Sequence, residues 1–157
     1  MNGVTDGQRR IVDLSPAFVE DNIDKILSIA SDQPGEYWAK DNFLFELPGK
    51  WTLSFAVILD NNIEGYAVVS IKSHKTAHIH HFMVSSGHRG RRIGMSMLDE
   101  VKARASAHGL QNITLKVART NHRALEFYVR HGFLPHETYS ELVEAEYVLY
   151  GANTKRT

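Results

Sequence analysis

The segment Val84-Ser-Ser-Gly-His-Arg-Gly-Arg-Arg-Ile-Gly94 separates a β-type run, Thr76–Val84, from a helical hydrophobic pattern that begins at Ile93. A helix that begins after such a loop presents unpaired backbone N–H groups and the positive end of its dipole. The segment therefore predicts a strand–loop–helix unit that binds phosphate groups. A solvated basic loop that caps an ordinary helix is the alternative. Three arginines add positive charge: Arg89, Arg91 and Arg92.

The glycine pattern of this loop excludes two common nucleotide sites. No Gly-Lys-Ser/Thr follows, as a Walker loop requires, and the three-glycine spacing of the dinucleotide fingerprint is absent.

A second motif lies downstream, after the β-type run Ile113–Val117. It reads Asn121-His-Arg-Ala124-Leu-Glu-Phe127-Tyr128-Val-Arg-His-Gly132-Phe133. Asparagine is favoured at the N-cap of a helix, and glycine is favoured just after its last turn. The segment therefore predicts a helix that is capped at both ends.

Together the two segments resemble the GNAT superfamily of acyl-CoA-dependent N-acetyltransferases. The family's loop reads Arg/Gln-x-x-Gly-x-Gly/Ala, and here Arg89 and Gly94 stand at its ends, while Arg92 replaces the middle glycine. The second segment resembles the family's Asn-x-x-Ala-x-x-Phe-Tyr-x-x-x-Gly-Phe pattern at every named position. The resemblance covers about Ile63 to Phe133.

A length of 157 residues predicts a single domain, residues 1–157, and the polar tail at about 151–157 is expected to fray. The resemblance adds an expected fold and cosubstrate. It implies an α/β fold with a mixed, largely antiparallel V-shaped sheet flanked by helices. It also implies acetyl-CoA as cosubstrate. In the family, the residues matching Phe82, Met83 and Val84 pair with the pantetheine arm, and Asn121 either binds CoA or simply caps its helix. The expected phosphate-binding residues are Arg89, Gly90, Arg91, Arg92, Ile93, Gly94 and Met95.

Tyr128 is the predicted general acid. A phenol with a pKa near 10 is protonated at neutral pH and can donate to a departing thiolate. A core or capping tyrosine is the alternative. The chain has no cysteine, so an acyl-cysteine enzyme is excluded and direct attack in a ternary complex is expected. The backbone N–H of Val84 would polarise the thioester carbonyl, as in the family.

The amine must lose a proton, and His78 and His80 are the candidate bases because imidazole titrates near neutral pH. Simple alternation along a strand puts these two on one face and His81 on the other. The pair resembles the histidines of arylalkylamine N-acetyltransferases. The alternative is that both are structural polar residues with hydrogen-bond partners in or beside the sheet.

Two further interpretations of this region are disfavoured. Because the histidines have no identified carboxylate partner, we predict no metal site. Ribosomal-protein acetyltransferases of the superfamily carry a glutamate base at the position of Lys116, which argues against a ribosomal N-terminal substrate.

Composition narrows the classes of ligand and the cellular location that the protein can have. The 157 residues contain 18 Lys+Arg and 18 Asp+Glu, so no global positive field favours nucleic acid or anionic membrane. The absence of cysteine, of a leader-like segment and of a long apolar run predicts a cytoplasmic protein. A non-catalytic acyl-CoA-binding module is the rival function. The resemblance and the β-rich C-terminal segment are compatible with a homodimer. The amine acceptor stays open: a small amine, amino sugar, antibiotic, peptide or protein.

The remaining pattern predicts the outer elements. Ser15-Pro16 is expected to start one helix that continues to Ala30, and Trp51–Leu59 and Ile63–Ile71 to form a hairpin. Tyr139–Tyr150 is predicted to be β-type, as one strand or as two. The stretch Glu36–Lys50 has no clear period.

Overall fold

A mixed β-sheet with helices on both faces makes up the structure, a computed structural model that describes residues 8–33, 37–88, 92–136 and 140–149. The strands are β1 (Arg9–Asp13), β2 (Phe55–Leu59), β3 (Asn62–Ser73), β4 (Thr76–Val84), β5 (Asn112–Ala118), β6 (Leu134–His136) and β7 (Leu142–Val148). The helices are α1 (Pro16–Asp21), α2 (Ile23–Ala30), α3 (Lys40–Leu44), α4 (Lys50–Leu53), α5 (Ile93–Ala107) and α6 (His122–Arg130), with a 3₁₀ turn at Ser86–His88.

The strands lie in the order β1-β2-β3-β4-β5-β7-β6, and every neighbouring pair is antiparallel except β4 and β5. The parallel pairing ends at Ile79 and Leu115, although β4 continues to Val84 and β5 to Ala118. The strands therefore part over their second halves and open the sheet into a V. The predicted mixed, largely antiparallel fold is confirmed.

Two apolar cores lie on the two faces of the sheet. One packs α5 and α6 against β2–β5 and β7, and it includes Val69, Ile79 and Leu115. The other packs α1, α2 and α3 against β2–β4, and it includes Tyr66, Val68 and Met83. Alternate strand residues serve opposite cores, which is why these strands are rich in apolar residues on both faces.

The predicted first helix is present but interrupted. The Oγ of Ser15 accepts the N–H of Phe18 at 3.1 Å, and Pro16 opens α1 as expected. At Asn22 the backbone leaves the helical region (φ −123°), and the amide side chain donates to the carbonyl of Phe18 at 2.9 Å. Because the asparagine competes with the backbone for that carbonyl, two short helices replace the single one.

The predicted hairpin is present, but its turn is one residue shorter than the expected Asp60-Asn61-Asn62, because Asn62 begins β3, and its first strand starts later than predicted. Asp60 and Asn61 take φ angles of 51° and 70°, the left-handed pair of a tight type I′ turn. Trp51, however, lies in α4, and β2 begins only at Phe55. The indole N–H of Trp51 donates to Glu46 at 3.0 Å, a local contact that the β-type composition of the segment does not reveal.

Three further elements were not predicted. Strand β1 lies before the first helix, helix α3 lies in the unassigned stretch after residue 36, and the short edge strand β6 follows Phe133. The predicted last strand begins at Leu142 rather than Tyr139, which itself lies outside the described residues, as does the tail at 151–157. Within the described ranges, none of the helices is long and apolar enough to span a membrane.

Candidate active site

A β-bulge at His80 shapes the centre of the site. Val68 pairs with His81 and Val69 pairs with Ile79, so His80 is an extra residue in β4. A bulge resets the alternation of side chains beyond it. The prediction that His81 faces away from His78 and His80 is therefore wrong: all three point to the face that α1 and α2 cover further along the sheet.

His81 is held in an aromatic cluster. Its Nδ1 lies 2.9 Å from the Oη of Tyr66, and its ring stacks on Trp38 with a centroid distance of 4.5 Å. Phe43 contacts both Tyr66 and His81 edge-on, at 5.5 and 6.1 Å. These contacts fix the strand on the C-terminal side of the bulge, and hence the direction in which His80 points.

His78 and His80 form a half-buried pair with ring centroids 4.8 Å apart. The Nε2 of His80 lies 2.7 Å from the Oγ of Ser70, and the Nδ1 of His78 lies 2.8 Å from the Oγ1 of Thr114. Each ring is thus oriented by one hydroxyl on a neighbouring strand. Simple alternation predicted the shared face of the pair, which the structure confirms, but not these hydroxyl partners.

Both histidines are neutral near pH 7. Burial lowers the pKa of His78 to about 4, with further lowering by His80, Lys72 and Lys116. Burial also lowers the pKa of His80, together with the charges of Lys50 and Lys72. A neutral imidazole has a lone pair to accept a proton, so the surroundings hold the pair in the form that a base requires.

A small cavity of about 70 Å³ occupies the opening of the V. It is bounded on one side by Ile79–Met83 and on the other by Leu115–Val117, and it reaches Asn121 and Tyr128. His80 and Lys116 both line it. The parting of the two strands therefore creates a space whose walls hold a candidate base and the candidate acid.

A larger cleft of about 820 Å³ adjoins this space and shares Tyr128, Asn121 and Phe82 with it. All predicted cosubstrate residues within the described part of the chain line the cleft: Phe82, Met83, Val84, Arg92, Ile93, Gly94, Met95, Asn121 and Tyr128. The remaining three, Arg89, Gly90 and Arg91, lie outside the described residues.

The N-terminus of α5 forms one wall of the cleft. Arg92 precedes the helix with φ +63°, the left-handed conformation that glycine adopts most easily, and it makes no side-chain cap hydrogen bond. A Cβ on Gly94 would lie 3.2 Å from the Cζ of Phe127, so this glycine lets α5 and α6 meet closely. The first-turn N–H groups and the helix dipole suit an anionic ligand.

Tyr128 lies where the two cavities meet. Its ring contacts Phe82, Phe127 and Phe133 at centroid distances of 6.0, 5.3 and 5.5 Å, and the residue is 8% exposed. Asn121 caps α6, since its Oδ1 accepts the N–H of Ala124 at 3.2 Å. That contact agrees with its capping role and leaves the side-chain NH₂ group beside the cleft.

Several site residues were not predicted. Gln33 lines both cavities, and the larger cleft is also lined by Arg123, Arg130 and His131. Arg123 and Arg130 on α6, and His131 at its C-terminal cap, lie three or four positions from Phe127, so helical spacing from the second motif could have found them. Gln33 had no such signal.

Lys50 is a further unpredicted feature. It is buried, its Nζ donates to the carbonyls of Phe45 and Asn42 at 2.6 and 3.2 Å, and burial lowers its pKa to about 8 against the opposing effect of Glu46. The positive charge of Lys50 also contributes to the lowered pKa of His80. Across the part of the chain that the structure describes, no three His, Cys, Asp or Glu side chains group as they would around a metal ion.

A sheet that opens between two parallel strands, beside a cleft walled by a helix N-terminus, defines the fold of GNAT-type acetyltransferases. Residues 17–133 match the model of the acetyltransferase (GNAT) family. Because the match spans most of the chain, this protein belongs to that family. No curated protein matches its sequence.

Solved structures share the fold at low sequence identity. Ard1 from Thermoplasma volcanium is 21% identical, with a TM-score of 0.76, and the match covers 90% of this chain and 97% of that one. The PaiA N-acetyltransferase of Thermoplasma acidophilum, in complex with coenzyme A, is 17% identical (TM-score 0.73; 90% and 99% covered). The ribosomal-protein-S18-alanine N-acetyltransferase of Escherichia coli is 15% identical (TM-score 0.72; 90% and 93% covered).

Proposed function

We propose that this protein is an N-acetyltransferase that moves an acetyl group from acetyl-CoA to a primary amine by direct attack in a ternary complex. The observation that carries the proposal is the position of Tyr128, which lines both the large cleft and the small cavity that holds His80. A proton donor and a proton acceptor thus stand on either side of one space in which acyl transfer can occur.

The cleft supports acetyl-CoA as the cosubstrate. Its volume suits an elongated ligand, and the wall at Arg92–Met95 offers backbone N–H groups to a pyrophosphate. The outer halves of β4 and β5 do not pair with each other, so Phe82–Val84 have backbone groups that an extended pantetheine arm can join. In this scheme the N–H of Val84 polarises the thioester carbonyl, and Asn121 adds a side-chain donor.

His80 is the proposed base, with His78 as a second step for the proton. When the Nε2 of His80 donates to Ser70, its Nδ1 carries the lone pair that accepts the amine proton. When the Nδ1–H of His78 donates to the Oγ1 of Thr114, the Nε2 of His78 carries the lone pair that can accept a proton. The lowered pKa values keep both rings neutral at neutral pH, so that each has a lone pair, and they also make each ring a weaker base than a free imidazole.

Tyr128 is the proposed acid. A phenol donates a proton to the CoA thiolate as the C–S bond breaks, and the amine gains the acetyl group. Proton donation by a positioned side chain contributes typically about 10²- to 10⁴-fold to rate. The rings of Phe82, Phe127 and Phe133 pack around the Tyr128 ring and hold it between the two cavities.

The test is amine-dependent release of free thiol from acetyl-CoA, with the N-acetylated product identified by mass spectrometry. The panel includes small amines, amino sugars, amino acids and peptides, and a reaction without amine gives the background hydrolysis. Turnover with at least one amine supports the transferase. Binding of acetyl-CoA without turnover for any amine would instead favour a non-catalytic acyl-CoA-binding module.

A further inference from the structure

Polar side chains form a row across three strands beside the small cavity. Ser70 on β3, His78 on β4 and Thr114 on β5 are direct register partners and share one face. Lys116 follows Thr114 by two residues on the same face and lines the cavity opposite His80. Lys72 lies on β3 at a second register shift, between Ile71 and Ser73, beyond the level of His78. Lys116 is therefore the lysine of this row that faces the proposed base across the cavity.

The charges of these lysines reach the histidines. Lys72 and Lys116 both lower the pKa of His78, while Lys50 and Lys72 lower that of His80. No described carboxylate is among the groups that shift either value. Lys116 therefore brings positive charge to the cavity wall opposite the proposed base.

The lysine on β5 has only a weak carboxylate partner. The Nζ of Lys116 lies 3.8 Å from Glu144, and both side chains are 47% exposed. Such exposed pairs contribute little to stability and exchange readily with other anions. Lys116 can thus turn to a ligand anion at little cost.

We propose that the amine acceptor also carries a carboxylate, which Lys116 binds while the amine lies beside His80 on the opposite wall of the small cavity, with Lys72 adding positive charge nearby. A carboxylate gains a charge-assisted hydrogen bond from Lys116 and offsets the repulsion that an ammonium group meets on entering this space. A polyamine, which brings further positive charge, is disfavoured. This inference rests on the proposed transfer function and names its acceptor class.

The test uses pairs of amines that differ only in a carboxylate: L-phenylalanine with phenethylamine, and L-tryptophan with tryptamine. We expect kcat/KM for the carboxylate-bearing member to be higher by about tenfold or more, which corresponds to about 1.4 kcal/mol. Lys116→Gln and Lys72→Gln should each reduce this ratio. The matched control is Lys25→Gln, an exposed lysine on α2, which should leave the ratio unchanged.

A binding measurement accompanies the kinetics and needs no turnover. Phenylacetate, added to the protein loaded with CoA, should shift the NMR signals of the His78 and His80 imidazoles, and 2-phenylethanol should not. The shift should persist in Lys25→Gln and disappear in the Lys72→Gln/Lys116→Gln double variant.

The outcomes separate the two proposals. Equal or better transfer to the carboxylate-free amines, or a ratio that neither lysine variant alters, overturns the acceptor class and leaves the transferase intact. Binding of phenylacetate without transfer to any amine supports the anion site and overturns the transfer function. No binding and no transfer overturns both.

Discussion

The Nε2 of His80 lies 2.7 Å from the Oγ of Ser70, across the point where β4 bulges. Ser70 is itself buried, so its hydroxyl is fixed by the sheet and not by solvent. The bulge leaves His80 on the same face as His78 and brings His81 to that face as well, and the Ser70 hydroxyl determines which way the His80 ring faces. The proposed base is therefore oriented by a residue on the neighbouring strand.

Replacing Ser70 by alanine should lower kcat about tenfold, because the loss of one hydrogen bond of about 1–1.5 kcal/mol frees the imidazole to rotate. The KM for acetyl-CoA should stay the same, since Ser70 does not line the larger cleft. Steady-state kinetics measure whether kcat falls while KM stays the same. Ser70→Thr, which keeps a hydroxyl at this position, should retain most of the activity. Thr52→Ala, which removes an exposed hydroxyl on α4, is the control. A rise in KM alone would show that Ser70 does not act through His80.

The lowered pKa of His78 predicts how stability depends on pH. The folded protein binds a proton there only near pH 4, whereas an unfolded histidine does so near 6.5. Below pH 6.5 the unfolded state therefore binds more protons, and the free energy of unfolding should fall as pH drops from 6.5 toward 4. Above pH 6.5 this contribution is fully present and constant.

Urea unfolding at pH 7.5 and at pH 5 measures this dependence. His78→Gln should lose less stability between the two pH values than the wild type does. His74→Gln, an exposed histidine at the β3–β4 turn, serves as the matched control. If His78→Gln and the wild type lose stability equally, protonation of His78 is not the cause.

Gly94 of the first sequence motif packs closely against Phe127 of the second. Alanine at position 94 would press its Cβ against the phenyl ring, at 3.2 Å from Cζ, and displace a side chain that lines the cleft. The affinity for acetyl-CoA should fall several-fold, while the free energy of unfolding changes by less than about 1 kcal/mol because alanine favours the helix. Calorimetry measures the affinity. Gly87→Ala, where an added Cβ meets nothing within 4 Å, should bind normally.

Arg92 holds a backbone conformation that costs a non-glycine residue about 1 kcal/mol. Arg92→Gly should therefore raise the free energy of unfolding by about that amount, and it should weaken acetyl-CoA binding because a guanidinium at the cleft is lost. Arg92→Ala separates the two effects, since it removes the charge but keeps the strain. Tighter binding by either variant would show that the arginine does not contact the phosphates.

Much of the fold follows from local pattern. The type I′ turn at Asp60-Asn61, the Ser15 cap and the strand Thr76–Val84 all depend on residues next to one another, so the sequence predicts them. The break at Asn22 and the helical state of Trp51 depend on competing side-chain hydrogen bonds, which a hydrophobic period does not contain.

The candidate site also contains residues that the sequence predicts and residues that it does not. The cosubstrate residues cluster in two contiguous motifs, and those in the described part of the chain line one cleft. His81 was assigned to the wrong face because a bulge shifts the register between two strands, which no single segment encodes. Ser70, Thr114 and Lys50 reach the histidines only through the sheet and the packing of α4, so the sequence alone gave no reason to select them.

The most direct test of the transfer function compares the wild type with Tyr128→Phe in amine-dependent thiol release and in acetyl-CoA binding. The phenyl ring keeps the aromatic packing against Phe82 and Phe133, so only the hydroxyl is lost. Tyr147→Phe, which removes a hydroxyl from β7, is the control. We predict that kcat falls by about 10²-fold or more with an unchanged dissociation constant. An undiminished kcat in Tyr128→Phe would contradict the assignment of the acid.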